Sequence, residues 1–545
     1  MICGPLTVQN DSQNKGVSWS VSGSGCSGTA CGTLSSATTT SVTYNAPSTA
    51  PNPVTVTLTA TSVTDGTKSG TATITVTAVS TNITVSVSPK RGGLVISQTL
   101  AMTATLTNDT GNAGVTWSTS GGSFATMNST SAAPATPGVV TITAASVADP
   151  SKTATIGVTN LSGMTTYLGG NARRGGNTQE YALTTSGVTA VNSANFGKLF
   201  SCTVDAPIYA QPLWVAGLSV AGGTHNVVFV ATVHDSIYAF DADASPCTTL
   251  WQASLIDMAH GAASSGETWV TSNDNGCPDI YPDIGIVGTP VIDPNTQTLY
   301  VVSKSKNASS TAFYQRIHAL DLATGNEKLS GPTTISATVP GTGVGSSGGN
   351  VSFDPLLNNR RSALLLTNGH VIVDWGSSCD LGAYHGWVMS FSASSLAQEA
   401  VFNTSPDGIN SGVWMAGGGP ASDASGNIYL AVGNGTFDAA GAAAPTDDYG
   451  DAILKLGPPS GGTFPVLSYF HSYTLISPND ADIDQGSGGV LLLPTVGSFN
   501  YLVQTGKDGN VYVMDQANLG GNSSSSNNVV ESLNAATSGM WGSPT

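Results

Sequence analysis

Residues Val228-Phe229-Val230-Ala231-Thr232-Val233-His234-Asp235-Ser236-Ile237-Tyr238-Ala239-Phe240-Asp241 carry two runs of β-branched and aromatic side chains on either side of a short polar corner. Such runs fill a pleated surface, and the corner between them predicts a two-residue turn, so the stretch reads as strand, turn, strand. Leu250-Trp251 follows as part of the next strand. The same design returns at Tyr300-Val301-Val302-Ser303 with Ile317-His318-Ala319-Leu320-Asp321, and at Tyr501-Leu502-Val503 with Val511-Tyr512-Val513-Met514-Asp515. Shorter copies lie at 371–373 with 388–391 and at 428–431 with 453–456, and segments marked by Gly and Pro, such as Gly288-Thr289-Pro290 and Gly418-Gly419-Pro420, precede several of them. Regular self-similarity of this kind signals radial repetition, in which each four-stranded sheet covers the face of its neighbour. Residues 163–545 are therefore expected to form a β-propeller of four-stranded blades.

A different repeat fills the chain before residue 163. Asn10-Asp11-Ser12-Gln13-Asn14-Lys15-Gly16-Val17-Ser18-Trp19-Ser20 recurs as Asn108-Asp109-Thr110-Gly111-Asn112-Ala113-Gly114-Val115-Thr116-Trp117-Ser118, an offset of 98. Each copy ends alike, with Ser62-Val63-Thr64-Asp65 leading into Thr71-Ala72-Thr73-Ile74, and Ser146-Val147-Ala148-Asp149 into Thr153-Ala154-Thr155-Ile156. Period-2 strands punctuated by Asn-Asp and Asp-Gly turns, with one Trp per unit, describe small β-sandwiches over 1–80 and 81–162. These units resemble bacterial immunoglobulin-like repeats, and Trp19 and Trp117 are expected to pack in their cores. The fold class expected for the whole chain is all-β: tandem immunoglobulin-like sandwiches followed by a propeller.

Composition narrows the function. Charged residues make up 9% of the 545, and 16 Lys and Arg against 33 Asp and Glu give a formal charge of −17, which removes the electrostatic term that dominates nucleic-acid affinity. No unbroken apolar run approaches the roughly 18 residues of a membrane span. The Ser/Thr-rich, Lys-poor texture and the seven spaced cysteines point to a location outside the cell, where disulfides persist. Cys26 is expected to bridge to Cys31, with some of Cys202, Cys247, Cys277 and Cys379 pairing inside the propeller; an odd number leaves one cysteine over. No Cys-x-x-Cys spacing suits zinc.

The blade that ends Tyr238-Ala239-Phe240-Asp241 and continues to Leu250-Trp251, and its clearest copy Gly506-Lys507-Asp508-Gly509-Asn510-Val511-Tyr512-Val513-Met514-Asp515, are similar to the repeat of pyrroloquinoline-quinone-type (PQQ-like) propellers. That resemblance covers roughly 380 residues and implies architecture more than activity, since the same blade serves quinone-dependent dehydrogenases and assembly scaffolds. Alcohol dehydrogenases of this kind carry a disulfide between adjacent cysteines and regular tryptophan docking motifs. This sequence has no Cys-Cys pair, and 321–329 lacks the Trp. The expectation is a secreted or cell-surface bacterial binding or structural protein without enzymatic activity and without bound quinone. Its sandwiches would present the propeller to an extracellular protein or polysaccharide, or to further copies through open sheet edges. The alternative is a secreted or periplasmic quinoprotein-like oxidoreductase.

Candidate ligand-binding residues around the propeller axis are the corners at His234-Asp235 and His385-Gly386-Trp387, with Trp414. Asp480, Asp482 and Asp484 alternate as carboxylates do in calcium loops, although Leu491 at the twelfth place departs from an EF-hand, so calcium is the one ion considered. The second sandwich has a stretch over 81–107 that the first lacks, and Gly539-Met540-Trp541-Gly542-Ser543-Pro544-Thr545 reads as the first strand of a further blade. Both ends thus read as truncated, or as completed by strands from neighbouring subunits, with 196–202 as an outer strand awaiting a partner.

Overall fold

The computed structural model describes residues 7–545 other than 52–54, 77–81, 89–90, 94–99, 110, 121–122, 127–128, 132–138, 160–162, 177–197, 199, 441–442, 476–481 and 536–538. The protein is nearly all β, with 43% of its residues in strands and 4% helical. Two compact units can be distinguished, one built from 1–87, 104–118 and 143–155, the other from 88–103, 119–142 and 156–545.

In the first unit, Val17–Ser22, Thr55–Ser62 and Ser69–Thr75 form an antiparallel sheet whose side chains alternate between buried and exposed, as a period of two requires. The inward set, including Val56, Leu58 and Ile74, packs with Tyr44 and the Cys26–Cys31 disulfide, and Trp19 lies half-buried against it. The internal repeat holds at atomic detail. Asp11 accepts the Gly16 N–H at 2.7 Å as Asp109 accepts that of Gly114 at 2.9 Å. Gly16 and Gly114 both sit at positive φ (65° and 77°), as do Asn10 and Asn108 (61° and 60°), conformations that Gly and Asn tolerate best. Thr67 caps Asp65 as Ser151 caps Asp149, with hydroxyl-to-carboxylate distances of 2.6 and 2.7 Å.

Among the described residues the second unit holds five antiparallel meanders of four strands each. The first runs Leu213–Val220, Gly223–Ala231, Ser236–Asp241, Thr249–Ser254, and its two middle strands pair Val228 with Phe240 and Ala231 with Ile237. The turn between them spans Thr232–Asp235, two residues more than expected, because Asp235 adopts φ 57° and the Thr232 N–H closes onto the Ser236 carbonyl. The four later blades begin at Val291–Asp293, Leu365–Thr367, Ala421–Ser422 and Val490–Leu492 and repeat the order. Apolar side chains of successive blades interleave: the first two blades share one buried cluster, the second and third another, and the third to fifth the largest. That is the face-to-face covering the repeat implied.

A segment before the first blade ties the inner strands together. Gly163 pairs with Val215, the Thr165 carbonyl accepts from Ile292, the Asn171 side chain donates to the Leu366 carbonyl, and the carbonyls of Asn171 and Ala172 accept from Ser422 and Leu492. One short stretch therefore hydrogen-bonds to the innermost strand of every blade. Arg173, 1% exposed, sits at its centre and donates to the carbonyls of Pro420, Leu364 and Tyr167 and to the Thr166 hydroxyl.

The cysteine expectations hold: Cys202–Cys247 and Cys277–Cys379 bridge within the propeller. Residues 539–545 form no strand; Met540 donates to the Gly506 carbonyl and Ser543 reaches the Met415 carbonyl. Of the proposed outer strand at 196–202, residues 196, 197 and 199 lie outside the described residues and the other four form no strand; Met1–Leu6 also lies outside them. No helix among the described residues is long and apolar enough to cross a membrane.

Candidate functional site

In an antiparallel blade the start of the innermost strand and the turn after the second strand lie at the same end. Five blades repeat this, so their turns converge at one end of the axis. There the turns of the second to fifth blades border a cavity of about 290 Å³. The second blade contributes Asp279 and Ile280, the third Asn359, Arg361, Ser377, Cys379 and Asp380, the fourth Trp414, Ala416 and Asn434. Asp482, Asp484, Ser487, Lys507 and Trp541 come from around the fifth.

Trp414 forms a flat wall. Its indole lies against the bare backbone of Gly376, Gly412 and Gly433: a Cβ on Gly376 would come within 2.6 Å of the ring and one on Gly412 within 2.5 Å, while Gly433 approaches closer still. The indole N–H donates to the Ser377 carbonyl at 3.0 Å, and Tyr384 meets the ring edge-on at 6.0 Å. Tyr384 in turn donates to Asp380 at 2.5 Å. The backbone around this wall is strained, since Cys379, Asp380, Met415, Ala416 and Asp482 all hold φ between 45° and 53° without being glycine. Each such residue costs on the order of 1 kcal/mol, and clusters of them are typical of ligand sites.

Opposite lies a charged group. Lys507 Nζ bridges Asp482 and Asp484 at 2.7 Å each. Burial works against the lysine charge, but the two carboxylates outweigh it and hold Lys507 above its ordinary value. Asp484 is 3% exposed, and burial lifts its carboxyl to about 6 despite Lys507. Its Oδ1 has no hydrogen-bond partner among the described residues. Behind it Asp451, fully buried, is raised to about 8 by burial and by the Asp484 charge; the Gln485 amide lowers it a little without forming a hydrogen bond of ordinary geometry. The Cys277–Cys379 disulfide borders the cavity beside Asp279, so Cys277, Asp279 and Cys379 crowd together without forming a thiolate metal site.

Of the residues singled out from sequence, Trp414, Asp482 and Asp484 line the cavity, and Asp480 lies outside the described residues. The His234-Asp235 turn is at the same end of the first blade, but neither residue lines the cavity. His234 stacks on Trp269 at 3.9 Å and meets Asp283 at 2.8 Å. Asp235 is fully buried, accepts from the Lys304 N–H, and is raised well above the usual carboxylate range by burial. His385 is wedged between the carbonyls of Ser405 and Val344, at 2.8 Å each, and burial lowers it. Trp387 belongs to the third blade's core against Phe353, since strand alternation turns it inward. Lys507, Arg361, Asn359, Asn434 and Trp541 were not anticipated. Among them Lys507 had a signal, standing at the corner of the clearest blade copy.

No family model matches the chain, and no curated protein does. Solved structures do. The quinohemoprotein alcohol dehydrogenase from Pseudomonas putida HK5 is 17% identical over 62% of this chain and 43% of its own, with a TM-score of 0.38. A europium-containing methanol dehydrogenase is 14% identical over 68% and 58%, at 0.42, and the Dos1 propeller 11% over 61% and 68%, at 0.29. The chain spans about half the length of the two dehydrogenases. The expectation of a non-enzymatic binding or structural protein is corrected on these dehydrogenase neighbours, and the expectation that no quinone binds is not carried further.

Proposed function

We propose that the chain is a quinoprotein-like oxidoreductase that oxidises a small hydroxyl-bearing substrate in the axial cavity. The observation that carries this reading is the pairing, in one cavity, of a flat indole wall with a buried carboxylate whose Oδ1 has no partner among the described residues. A planar ring needs an aromatic face held rigidly, and Trp414 on its three glycines offers one. A hard divalent cation needs several oxygens, and Asp482, Asp484 and the Asn434 side chain would hold it. Arg361 would meet a carboxylate of a pyrroloquinoline quinone, Lys507 being held by Asp482 and Asp484, and Asn359 would reach its ring oxygens. The group, when bound, supplies a two-electron acceptor for the hydrogen removed from the substrate carbon. The protein's part is to orient that ring on Trp414, to fix the substrate through the Asp and Asn side chains, and to keep the acidic pocket poorly hydrated behind the rim.

The finer readings belong to the same proposal. Three disulfides support a location outside the reducing cytosol, in the periplasm or beyond the cell. The two Asp-to-Gly turns that repeat at Asp11 and Asp109 support immunoglobulin-like domains over 1–80 and 81–162. Incubation with calcium and the quinone, followed by alcohol-dependent reduction of an artificial electron-accepting dye, tests the function. Turnover that Asp484→Asn abolishes supports it; no dye reduction with any primary alcohol, amino alcohol or sugar contradicts it.

A further inference from the structure

We infer that the cavity selects substrates that carry positive charge, small alcohols bearing an ammonium group, over neutral alcohols and hydroxy acids. The inference rests on the oxidoreductase reading for the claim that the ligand is oxidised, but not for the claim that it binds. Four carboxylates, Asp279, Asp380, Asp482 and Asp484, face two cations, Arg361 and Lys507, so two negative charges are in excess around a space of about 290 Å³. Lys507 is already held by two carboxylates at 2.7 Å, which leaves Arg361 alone to attract an anion. Asp484 is almost wholly buried with an unpartnered oxygen, the arrangement that gains most from an incoming cation or donor.

The rim carries an independent sign. Trp541 is 59% exposed, yet its backbone is pinned on both sides: the Met540 N–H donates to the Gly506 carbonyl at 2.9 Å, and Ser487 and Thr505 donate to the carbonyls of Met540 and Gly542 at 3.0 and 3.4 Å. An exposed indole bordering a cavity lined by carboxylates attracts an ammonium group through its ring electrons. The molecule's formal charge of −17 favours the approach of cations.

Choline, its neutral isostere 3,3-dimethyl-1-butanol and glycolate separate the possibilities, since the first two share a shape and differ in charge. Binding is followed by isothermal titration on the full chain, independently of turnover. Choline is expected to bind about two- to fivefold tighter than the isostere, the range a cation on an exposed indole supplies, with glycolate weakest. Trp541→Ala should weaken choline several-fold more than the isostere, which loses only its apolar contact with the ring, Trp541→Phe should retain most of the preference, and added salt should weaken choline alone. Equal or tighter binding of the isostere, tighter binding of glycolate, an unchanged preference in Trp541→Ala, or no choline binding up to about 0.1 M would each overturn the inference. Dye-linked oxidation of neutral alcohols without a charge preference would refute the selectivity and keep the oxidoreductase reading; tight choline binding without any turnover would do the reverse.

Discussion

Replacing Arg173 by alanine tests whether the 163–174 segment locks the propeller. The guanidinium donates four hydrogen bonds, to the carbonyls of Pro420, Leu364 and Tyr167 and to the Thr166 hydroxyl, and three of those acceptors belong to the backbone of different stretches of chain. Hydrogen bonds from a charged donor contribute about 1.5–3 kcal/mol each, which would sum to roughly 6–12 kcal/mol if nothing opposed them. Burial opposes them, lowering the Arg173 pKa to about 10, so deletion recovers part of the cost of keeping that cation out of water. It also strips Asp374, a buried carboxyl, of one of the two arginines whose charge stabilises it. The net loss expected is about 3–5 kcal/mol, the usual result of removing one partner from a buried charged network. Guanidinium-induced unfolding followed by tryptophan fluorescence measures it, and amide exchange should rise together in Leu365–Thr367, Ala421–Ser422 and Val490–Leu492. Arg174→Ala is the control, because its bonds to the carbonyls of Leu492 and Leu493 are more exposed and should contribute only about 1 kcal/mol. A loss below about 1 kcal/mol for Arg173→Ala, or exchange that rises in one blade only, would show that the segment does not hold the inner strands together.

Other outcomes follow from single contacts. Gly433→Ala should displace the Trp414 indole and reduce binding in the cavity with little loss of global stability, read as a shift of tryptophan emission, whereas Gly66→Ala, where a Cβ meets nothing, should leave the emission unchanged. Asp374 is raised by burial to about 7 against an unfolded value near 3.8, despite Ser362, Arg360 and Arg173 beside it, so the native state binds its proton more tightly. Its contribution is complete below about pH 4 and is lost as pH rises toward 7, with a slope of up to about 1.4 kcal/mol per pH unit, and Asp374→Asn should flatten that slope in urea titrations. Opening the Cys277–Cys379 bridge by a double Cys→Ser substitution should lower stability by as much as about 4–5 kcal/mol, the value for a loop near the 102 residues it closes.

Much of the blade pattern was legible because it is local. The Val228–Asp241 hairpin, its copies and the two Asp-to-Gly turns each depend on side chains within a dozen residues, which alternation and turn chemistry disclose. Asp482 and Asp484 were found for a related reason, since carboxylates alternating over a few residues read as a cation loop. The rest depended on closure. Arg361 and Asn359 stand just ahead of an inner strand and become cavity residues only when the turns of several blades converge. Cys379 reaches Cys277 across 102 residues, so the absent Cys-Cys pair gave no hint that a disulfide would still border the cavity. The 163–174 segment engages backbone atoms of remote strands, contacts that side-chain patterns do not encode. Trp387 misled because its neighbours His385 and Gly386 mark a corner, while its own position is the first of a buried strand, Trp387–Ser392.

The most direct test of the cavity as a cofactor site is equilibrium binding of pyrroloquinoline quinone in the presence of calcium, measured by retention of quinone absorbance on the full chain after gel filtration. The proposed function predicts one quinone retained per chain, lost in Trp414→Ala and in Asp484→Asn while both variants keep their strand content. Passage of the unmodified chain through the column free of quinone, or equal retention by Trp414→Ala, would contradict it.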